Sequence, residues 1–270
     1  MRSRPRLAGA LVTAAAVLAL TACGSEPTPS APPASPSPTS ETPKPLTDFA
    51  ELNRLTHERF MNSGTGRLAM TLDAPGMRGT TMNGVYRVDG DELSFDMEMV
   101  VQGSDLRFVT LPGESYLRLP EGQAPDPSTP WMKVDPDSTD EDMRDMAEML
   151  AGMREQVAEL DTAFGDAGRI TGSEVTELDG RPAVRYDFVV DLATYAASAP
   201  KSEKETMEEL VKDGATELRG TMWTTPDHLP LQLETEGVGG SSSMKSSEKH
   251  TGHGEPVTIE APPADQLMAS

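Results

Sequence analysis

The sequence predicts an α+β fold, in which an antiparallel sheet of roughly ten or eleven strands is accompanied by a few helices. Apolar and polar residues alternate over many successive segments, which is typical of strands with one covered and one solvated face. Two Asp-Gly pairs, at residues 89–90 and 179–180, separate such segments and indicate tight hairpins. Helical spacing of apolar residues is confined to the start, the middle and a late part of the folded region.

The first predicted element is a helix near the start of this region. Phe49, Leu52 and Phe60 recur at helical spacing, and Thr47 is suited to the N-cap position. The turn-forming run Asn62-Ser63-Gly64 follows the last apolar residues and predicts the end of the helix.

Strands then make up the first half of the sheet. Segments 66–73, 80–88 and 92–102 alternate, and segments 106–111 and 116–119 continue the hairpin order. One face of these strands collects large apolar side chains, many of them methionine. The residues expected on that face are Met70, Leu72, Met82, Tyr86, Phe95, Met97, Met99 and Phe108.

An acidic amphipathic helix or helix pair is predicted in the middle of the chain. It follows a proline-rich loop at 120–130 and a short strand at 131–134. Methionines recur at steps of three and four residues with acidic residues between them, which places one apolar stripe along the helix. The stripe residues expected to cover the sheet are Met146, Met149 and Met153.

The second half of the chain repeats the strand pattern. The predicted strands are 170–178, 183–191, 217–225, 229–235, 243–250 and 257–259, with a short helix at 202–212. Nearly all of them follow one another in hairpin order, so the sheet is expected to be antiparallel throughout.

Residues 1–22 have the pattern of a secretory signal peptide. Three arginines form a positive region, and an uncharged apolar run of about 13 residues follows, shorter than the roughly 20 residues of a membrane span. The run Leu20-Thr21-Ala22-Cys23 resembles a bacterial lipobox and contains the only cysteine of the chain. The resemblance implies that Cys23 is acylated and anchors the protein at the extracytoplasmic face of the cell membrane. A soluble secreted protein with a free thiol is the alternative.

Residues 23–46 are predicted to form the acylated cysteine and a linker, followed by a single domain at 47–270. Between Gly24 and Pro45, 16 of 22 residues are proline, serine or threonine, a composition that favours extended chain. Loss of residues 1–22 leaves 20 basic against 44 acidic residues, a formal charge of −24. Because such a surface repels nucleic acid and anionic head groups, no nucleic-acid partner is expected, and membrane attachment is expected through Cys23.

The sequence has no clear catalytic or metal-binding motif. Ser242-x-x-Lys245 and Ser246-x-x-Lys249 fit the Ser-x-x-Lys pattern, but the motifs that accompany it in Ser–Lys enzymes are absent. His250-x-x-His253 with Glu255 is a loose metal-site candidate, for which a solvated loop is the favoured interpretation. The aspartates between 135 and 142 lack the glycine and glutamate of a calcium loop. We therefore expect no catalysis, metal or cofactor.

The 16 methionines allow more than one interpretation. Their positions along strands and along a helix stripe describe the face of a core, which is the simplest one. Thioethers can also hold Cu(I), or line an adaptable apolar pocket. The last interpretation predicts a binding site.

Three stretches resemble the actinobacterial LppX/LprAFG lipoproteins and the wider LolA/LolB-like proteins. They are Trp131–Asp135, Met222–Leu231 with its strand, turn and Leu229-Pro230, and Val257–Asp265 with its terminal Pro-Pro-Ala-Asp. The resemblance covers residues 47–270. It implies a half-barrel, in which one strongly curved antiparallel sheet wraps around helices and leaves an apolar cavity.

The resemblance also implies that lipid or lipoglycan is bound in this cavity, lined by the strand residues named above and covered by the central helix. The expected function is therefore membrane-anchored lipid binding or carriage without catalysis. An envelope transporter or regulator is a further candidate partner. The alternative is an envelope sensor or scaffold that binds a membrane regulatory protein and transfers no lipid; a Ser–Lys enzyme ranks third.

Overall fold

The computed structural model describes residues 43–268 except 75–76, 91, 142, 145, 149, 152–163, 200 and 241–243. The described residues belong to one compact unit, Thr42–Ser270. The predicted signal peptide, Cys23 and most of the linker lie outside the described residues, as do Met149 and Met153.

Eleven strands form one curved, unclosed antiparallel sheet, which confirms the predicted fold class. The strands are β1 (Thr65–Asp73), β2 (Thr80–Asp89), β3 (Glu92–Val101), β4 (Ser104–Leu111), β5 (Glu114–Arg118), β6 (Trp131–Val134), β7 (Gly168–Leu178), β8 (Arg181–Asp191), β9 (Ala215–Thr224), β10 (Pro230–Gly239) and β11 (Lys245–Thr251). Their order is β6-β5-β4-β3-β2-β1-β11-β10-β9-β8-β7. Neighbouring strands are consecutive in the chain except β1 and β11, whose pairing joins the two halves of the chain.

The helices with described bounds are α1 (Phe49–Met61), α2 (Leu192–Ser198) and α3 (Lys201–Lys212). Between β6 and β7, residues 141, 143–144, 146–148 and 150–151 are also helical, and we call them the central helical segment. None of the described helices is long and apolar enough to cross a membrane.

The structure has a tight hairpin at both Asp-Gly pairs, with Asp179-Gly180 as the turn of one and Asp89, paired with Glu92, as the last strand residue before the other. It also corrects three details of the sequence analysis. The N-cap of α1 is Asp48, whose carboxylate accepts a hydrogen bond from the Glu51 amide at 2.7 Å, so Thr47 is not the cap. Helix α2 was not expected; it begins after Asp191, which caps it in the same way. Residues 257–259 are not a strand but irregular chain that packs against the sheet surface.

We call the sheet face that packs against α1 the inner face. It contains two core clusters, each with α1 residues in it. The β8 cluster consists of Phe49, Leu52, Val184, Tyr186, Phe188, Val190, Leu192, Tyr195, Leu210, Ala215 and Leu218. The β3 cluster consists of Phe60, Tyr86, Val88, Phe95, Met97, Phe108, Leu117, Val134 and Leu150.

Glycines allow large side chains to fold over neighbouring strands on the inner face. Gly220 lies opposite Phe188 in the β8–β9 register, and a Cβ atom at Gly220 would come 2.1 Å from the Phe188 ring. Gly84 lies opposite Met97 in the same way. Strands with such uncovered backbone can bend more tightly, which is consistent with the curvature of the sheet.

The outer face is partly covered, whereas alternation alone predicted that it would be solvated. Val257 and Ile259 of the C-terminal tail pack against Val109, Tyr116 and Trp131. The tail then pairs along the edge strand β6, where the Trp131 carbonyl accepts a hydrogen bond from the Met268 amide at 2.8 Å. The tail therefore protects one edge of the sheet from pairing with another chain.

Candidate functional site

The strand residues predicted to line an apolar cavity share the inner face, because the register pairs them with one another. Met70 lies opposite Met82, Met82 opposite Met99, and Met97 opposite Phe108. Their burial divides them into two groups. Whether any of them contacts a ligand stays a prediction.

The first group belongs to the packed core. Tyr86, Phe95, Met97 and Phe108 are 1–5 % exposed and form much of the β3 cluster. Side chains this deeply packed stabilise the fold and have little surface left for another molecule.

The second group is half-buried. It comprises Met70, Leu72, Met82 and Met99. Met146 of the central helical segment is also half-buried and packs against the β3 cluster. Met149 and Met153, predicted to cover the same face, are outside the described residues.

The half-buried residues are part of a longer row that the sequence analysis did not identify. From β4 through β1 and β11 to β9, one inner-face residue on each strand is the register partner of the next, so these residues form a line across the sheet. Its members, the inner-face row, are Leu106, Met99, Met82, Met70, Glu248, Leu233 and Met222. All seven are half-buried, whereas the next residue in line, Tyr186 on β8, is fully buried.

The inner-face row lies between the two core clusters. Leu106, Met99 and Met82 contact the β3 cluster, and Leu233 and Met222 contact the β8 cluster. Helix α1 passes close to one part of the row, since the Thr56 hydroxyl is 4.0 Å from the Met222 sulfur. Among the described residues, Met70 at the centre belongs to neither cluster. The row is thus a strip of half-buried side chains that extends from one core cluster to the other.

Glu248 is a charged residue at the centre of this apolar row. Its cross-strand neighbours are Met70 and Leu233. Its Oε1 lies 2.6 Å from Nε2 of His250, two residues along the same strand face. Burial raises the pKa of Glu248, but the charge of His250 and this hydrogen bond outweigh burial, so the pKa lies below its usual range. The carboxylate is therefore ionised at neutral pH.

Tyr86 and the two histidines connect the row to α1. The His250 ring contacts the ring of Phe60 at 5.7 Å between centroids. His253 donates from Nε2 to the Pro230 carbonyl at 3.1 Å, so its Nδ1 accepts from the Tyr86 hydroxyl at 3.2 Å. Burial lowers the pKa of His253 and raises that of Tyr86 to about 12. Both groups are therefore neutral, and the Tyr86 ring packs against Phe60 of α1 at 4.9 Å between centroids.

Two depressions on the outer face have volumes of about 540 and 480 Å³. The larger crosses β1 and β7–β11 and is lined by residues such as Thr71, Glu234 and Lys245. The smaller lies over β1–β4 and β11 and contains the paired Asp96 and Arg107. Both are open and rich in polar side chains, so neither corresponds to the apolar site predicted from the sequence.

The structure does not bring together the side chains of Ser246 and Lys249, the Ser–Lys candidate whose residues are both described. Ser246 and Lys249 are three residues apart on β11, so their side chains point to opposite faces of the sheet. The Ser246 hydroxyl pairs with that of Thr235 at 2.7 Å, and the Lys249 ammonium pairs with Asp179 at 2.5 Å. The other candidate, Ser242, is outside the described residues.

Local structure accounts for the two candidate metal sites, the aspartates between 135 and 142 and the histidines His250 and His253. Asp135 accepts the Asp137 amide at 3.0 Å, and Asp140 accepts the Met143 amide at 3.3 Å, as in a loop leading into a helix. His253 is occupied by Tyr86 and Pro230 as described. Within the described part of the chain, no group of three or more His, Cys, Asp or Glu side chains is placed to hold a metal ion.

Comparison with known proteins gives similarity in structure without similarity in sequence. No protein-family model matches the chain, and no curated protein matches it. One similar solved structure is the crystal structure of LprF from Mycobacterium bovis, with a TM-score of 0.45 and 12% identity over 79% of this chain and 96% of that chain. Another is MucB in complex with MucA(peri), with a TM-score of 0.34 and 14% identity over 83% of this chain and 60% of that chain. At such identities the likeness concerns the fold, a large curved antiparallel sheet with few helices.

Proposed function

We propose that this protein is an extracytoplasmic lipoprotein, anchored through acylated Cys23, that binds the apolar chain of a lipid along the inner-face row without catalysing a reaction. The observation on which the proposal rests is the row itself. Seven consecutive positions across seven strands are half-buried, and six of them are apolar.

The dimensions and chemistry of the row suit an acyl chain. Six strand spacings of about 4.8 Å give a length of roughly 29 Å along the sheet. A lipid chain in one leaflet spans about half of a 30 Å hydrocarbon core, so it is shorter than the row. Four of the seven side chains are methionine, whose flexible thioethers adapt to guests of different shape. Burial of apolar surface would supply about 25 cal/mol per Å² before the costs of ordering.

The leader and linker would place this site within reach of lipid. Twenty-two residues from Gly24 to Pro45 extend up to roughly 70 Å at about 3.1 Å per residue. The mature chain has a formal charge of −24. Because that charge opposes adhesion to anionic head groups, the acyl anchor would be the principal attachment of the protein to its membrane.

Replacing Cys23 with alanine tests the anchor. We expect the variant to move from the membrane fraction to the soluble fraction with an unchanged melting temperature, because only the acyl attachment is lost. Fractionation and the mass of the N-terminal peptide provide the measurement. Retention of the Cys23→Ala chain in the membrane would show that another part of the protein attaches it.

A bulky side chain in the row tests the binding site. In the released Cys23→Ala chain, Met82→Trp is expected to weaken binding of a neutral dodecyl amphiphile about tenfold, because the indole occupies the space between Met70 and Met99. Displacement of a fluorescent apolar probe gives the affinity, and native mass spectrometry detects any lipid that co-purifies.

The matched control for this test is Asn83→Trp, one residue further along β2. Asn83 is exposed on the outer face, so its replacement leaves the row unchanged. We expect it to bind the amphiphile as the parent does. Equal weakening by both substitutions, or no binding by the parent, would contradict lipid binding on the inner face and favour a protein-binding role.

A further inference from the structure

The inner face is almost free of charge. On the ten strands other than the edge strand β7, the register places only apolar, glycine, hydroxyl or proline residues on this face, with Glu248 and His250 as exceptions. The hydroxyls of Thr235 and Ser246, one inner-face position along from Leu233 and Glu248, are paired with each other at 2.7 Å. Glu248 is therefore the one carboxylate on the inner face of these ten strands, and it lies in the middle of the row.

Glu248 is held by one partner and is still accessible. Its side chain is 30% exposed, whereas that of His250 is 9% exposed. Among the described residues, His250 is the one group within hydrogen-bonding distance of the carboxylate, through Oε1. An ionised carboxylate can accept about four hydrogen bonds, so it has capacity for a donor that enters the row.

The charge of the Glu248–His250 pair limits what that donor can be. With His250 protonated the pair is neutral, and with His250 neutral it has one negative charge. In neither form is it positive, and no lysine or arginine shares the inner face of these ten strands. A second carboxylate or a phosphate would thus be desolvated beside Glu248 without a compensating cation, which is costly.

We propose that Glu248 makes the inner-face row selective for amphiphiles with a protonated amine, and that it disfavours amphiphiles with a carboxylate head. The inference rests on the proposed function, since it assumes that the apolar chain lies along the row. An ammonium group beside the free oxygen would gain a charge-assisted hydrogen bond in surroundings of low polarity. The strongly acidic surface of the chain also raises the local concentration of cations.

A purely structural role for Glu248 is the competing explanation. In that case the carboxylate would only orient His250, which in turn contacts Phe60 of α1. Glu248→Gln separates the two roles. The glutamine oxygen can still accept the hydrogen bond from Nε2 of His250, but the negative charge that would attract an ammonium group is absent.

The experiment compares three amphiphiles of equal chain length, dodecylammonium, dodecanol and dodecanoate, below their aggregation concentrations. In the released full-length Cys23→Ala chain, we expect dodecylammonium to bind about tenfold more tightly than dodecanoate, with dodecanol between them. Glu248→Gln should reduce this ratio to near one.

Two controls separate the site from the overall charge of the protein. Glu234→Gln removes one negative charge from the outer face of the adjacent strand β10, and we expect the ratio of the parent chain to be retained. The preference should also persist in about 0.5 M NaCl, because salt screens distant exposed charges far more than a contact within the row. This second measurement needs no variant, so it applies even if Glu248→Gln does not fold.

The outcomes distinguish failure of this inference from failure of the proposed function. If dodecanol binds and Met82→Trp weakens it, but the ammonium-to-carboxylate ratio is near one or survives Glu248→Gln, only the selectivity is overturned. Loss of the preference in high salt overturns it as well. If none of the three amphiphiles binds, or Met82→Trp has no effect on dodecanol, the proposed function fails and the selectivity fails with it.

Discussion

Replacing Gly84 with alanine is expected to lower the free energy of unfolding by about 3 kcal/mol. A Cβ atom at this position would lie 2.1 Å from the Asp96 carbonyl oxygen, 2.6 Å from the Met97 sulfur and 2.8 Å from the Met97 Cα. The sulfur could move, but two of the three atoms are backbone of the paired strand β3. The clash can therefore be removed only if β2 and β3 move apart, and residues of both strands belong to the β3 cluster. Urea denaturation followed by circular dichroism measures the change.

Gly237→Ala is the matched control for this prediction. Gly237 is also a strand glycine, on β10, but the atoms nearest to its added Cβ belong to Met244 at 3.7–3.9 Å, an ordinary contact. Alanine restricts the unfolded chain more than glycine does, so the control is expected to be neutral or slightly stabilising. Similar losses in both variants would show that the cost is general to strand glycines and not due to the close approach of β2 and β3.

Replacing Phe188 with alanine is expected to cost about 3–5 kcal/mol. The Phe188 side chain is 2% exposed, packs against the Phe49 ring at 4.9 Å between centroids and covers Gly220. Its removal leaves a cavity at the contact between α1 and the β8 cluster. Val189→Ala, one residue along on the outer face, removes a half-buried side chain and is expected to cost much less.

Combining Phe188→Ala with Gly220→Ala provides a stricter test of the same contact. Gly220→Ala alone should be destabilising, because its Cβ would come 2.1 Å from the Phe188 ring. In the double variant the new methyl group occupies part of the space that the ring has left. The combined loss should therefore be smaller than the sum of the single losses by about 1 kcal/mol or more. Strict additivity would mean that the ring does not rest on Gly220.

Local sequence patterns were sufficient for most of the strands. Alternation with period two and the turn-forming Asp-Gly pairs act over a few residues, so β2–β3 and β7–β8 were predicted with their hairpins. Helix α2 was missed because it follows β8 without a loop, after the cap residue Asp191. Residues 257–259 were wrongly assigned because alternating valine and isoleucine fit a strand, whereas the tail uses them to cover the outer face.

The candidate site was only partly predictable. Met70, Met82 and Met99 were expected on the inner face, since apolar residues alternate with polar ones in their strands. Glu248 was not identified, because β11 has the sequence Lys-Ser-Ser-Glu-Lys-His-Thr. The residues that point to one face of this strand are as polar as those that point to the other. The pairing of β1 with β11 decides which set faces inward, and those strands are far apart in the chain. No local signal specifies that contact.

The sequence by itself determined the fold class, most of the strands and the apolar face on which the candidate site lies, because these follow from short-range periodicity and turn chemistry. Only the tertiary structure decided which residues on that face remain accessible. Met97 and Met99 occupy equivalent alternating positions on β3, yet Met97 is 5% exposed over Gly84 while Met99 is half-buried. Burial of each depends on what the paired strands and α1 bring against it, and those contacts exist only in the folded chain.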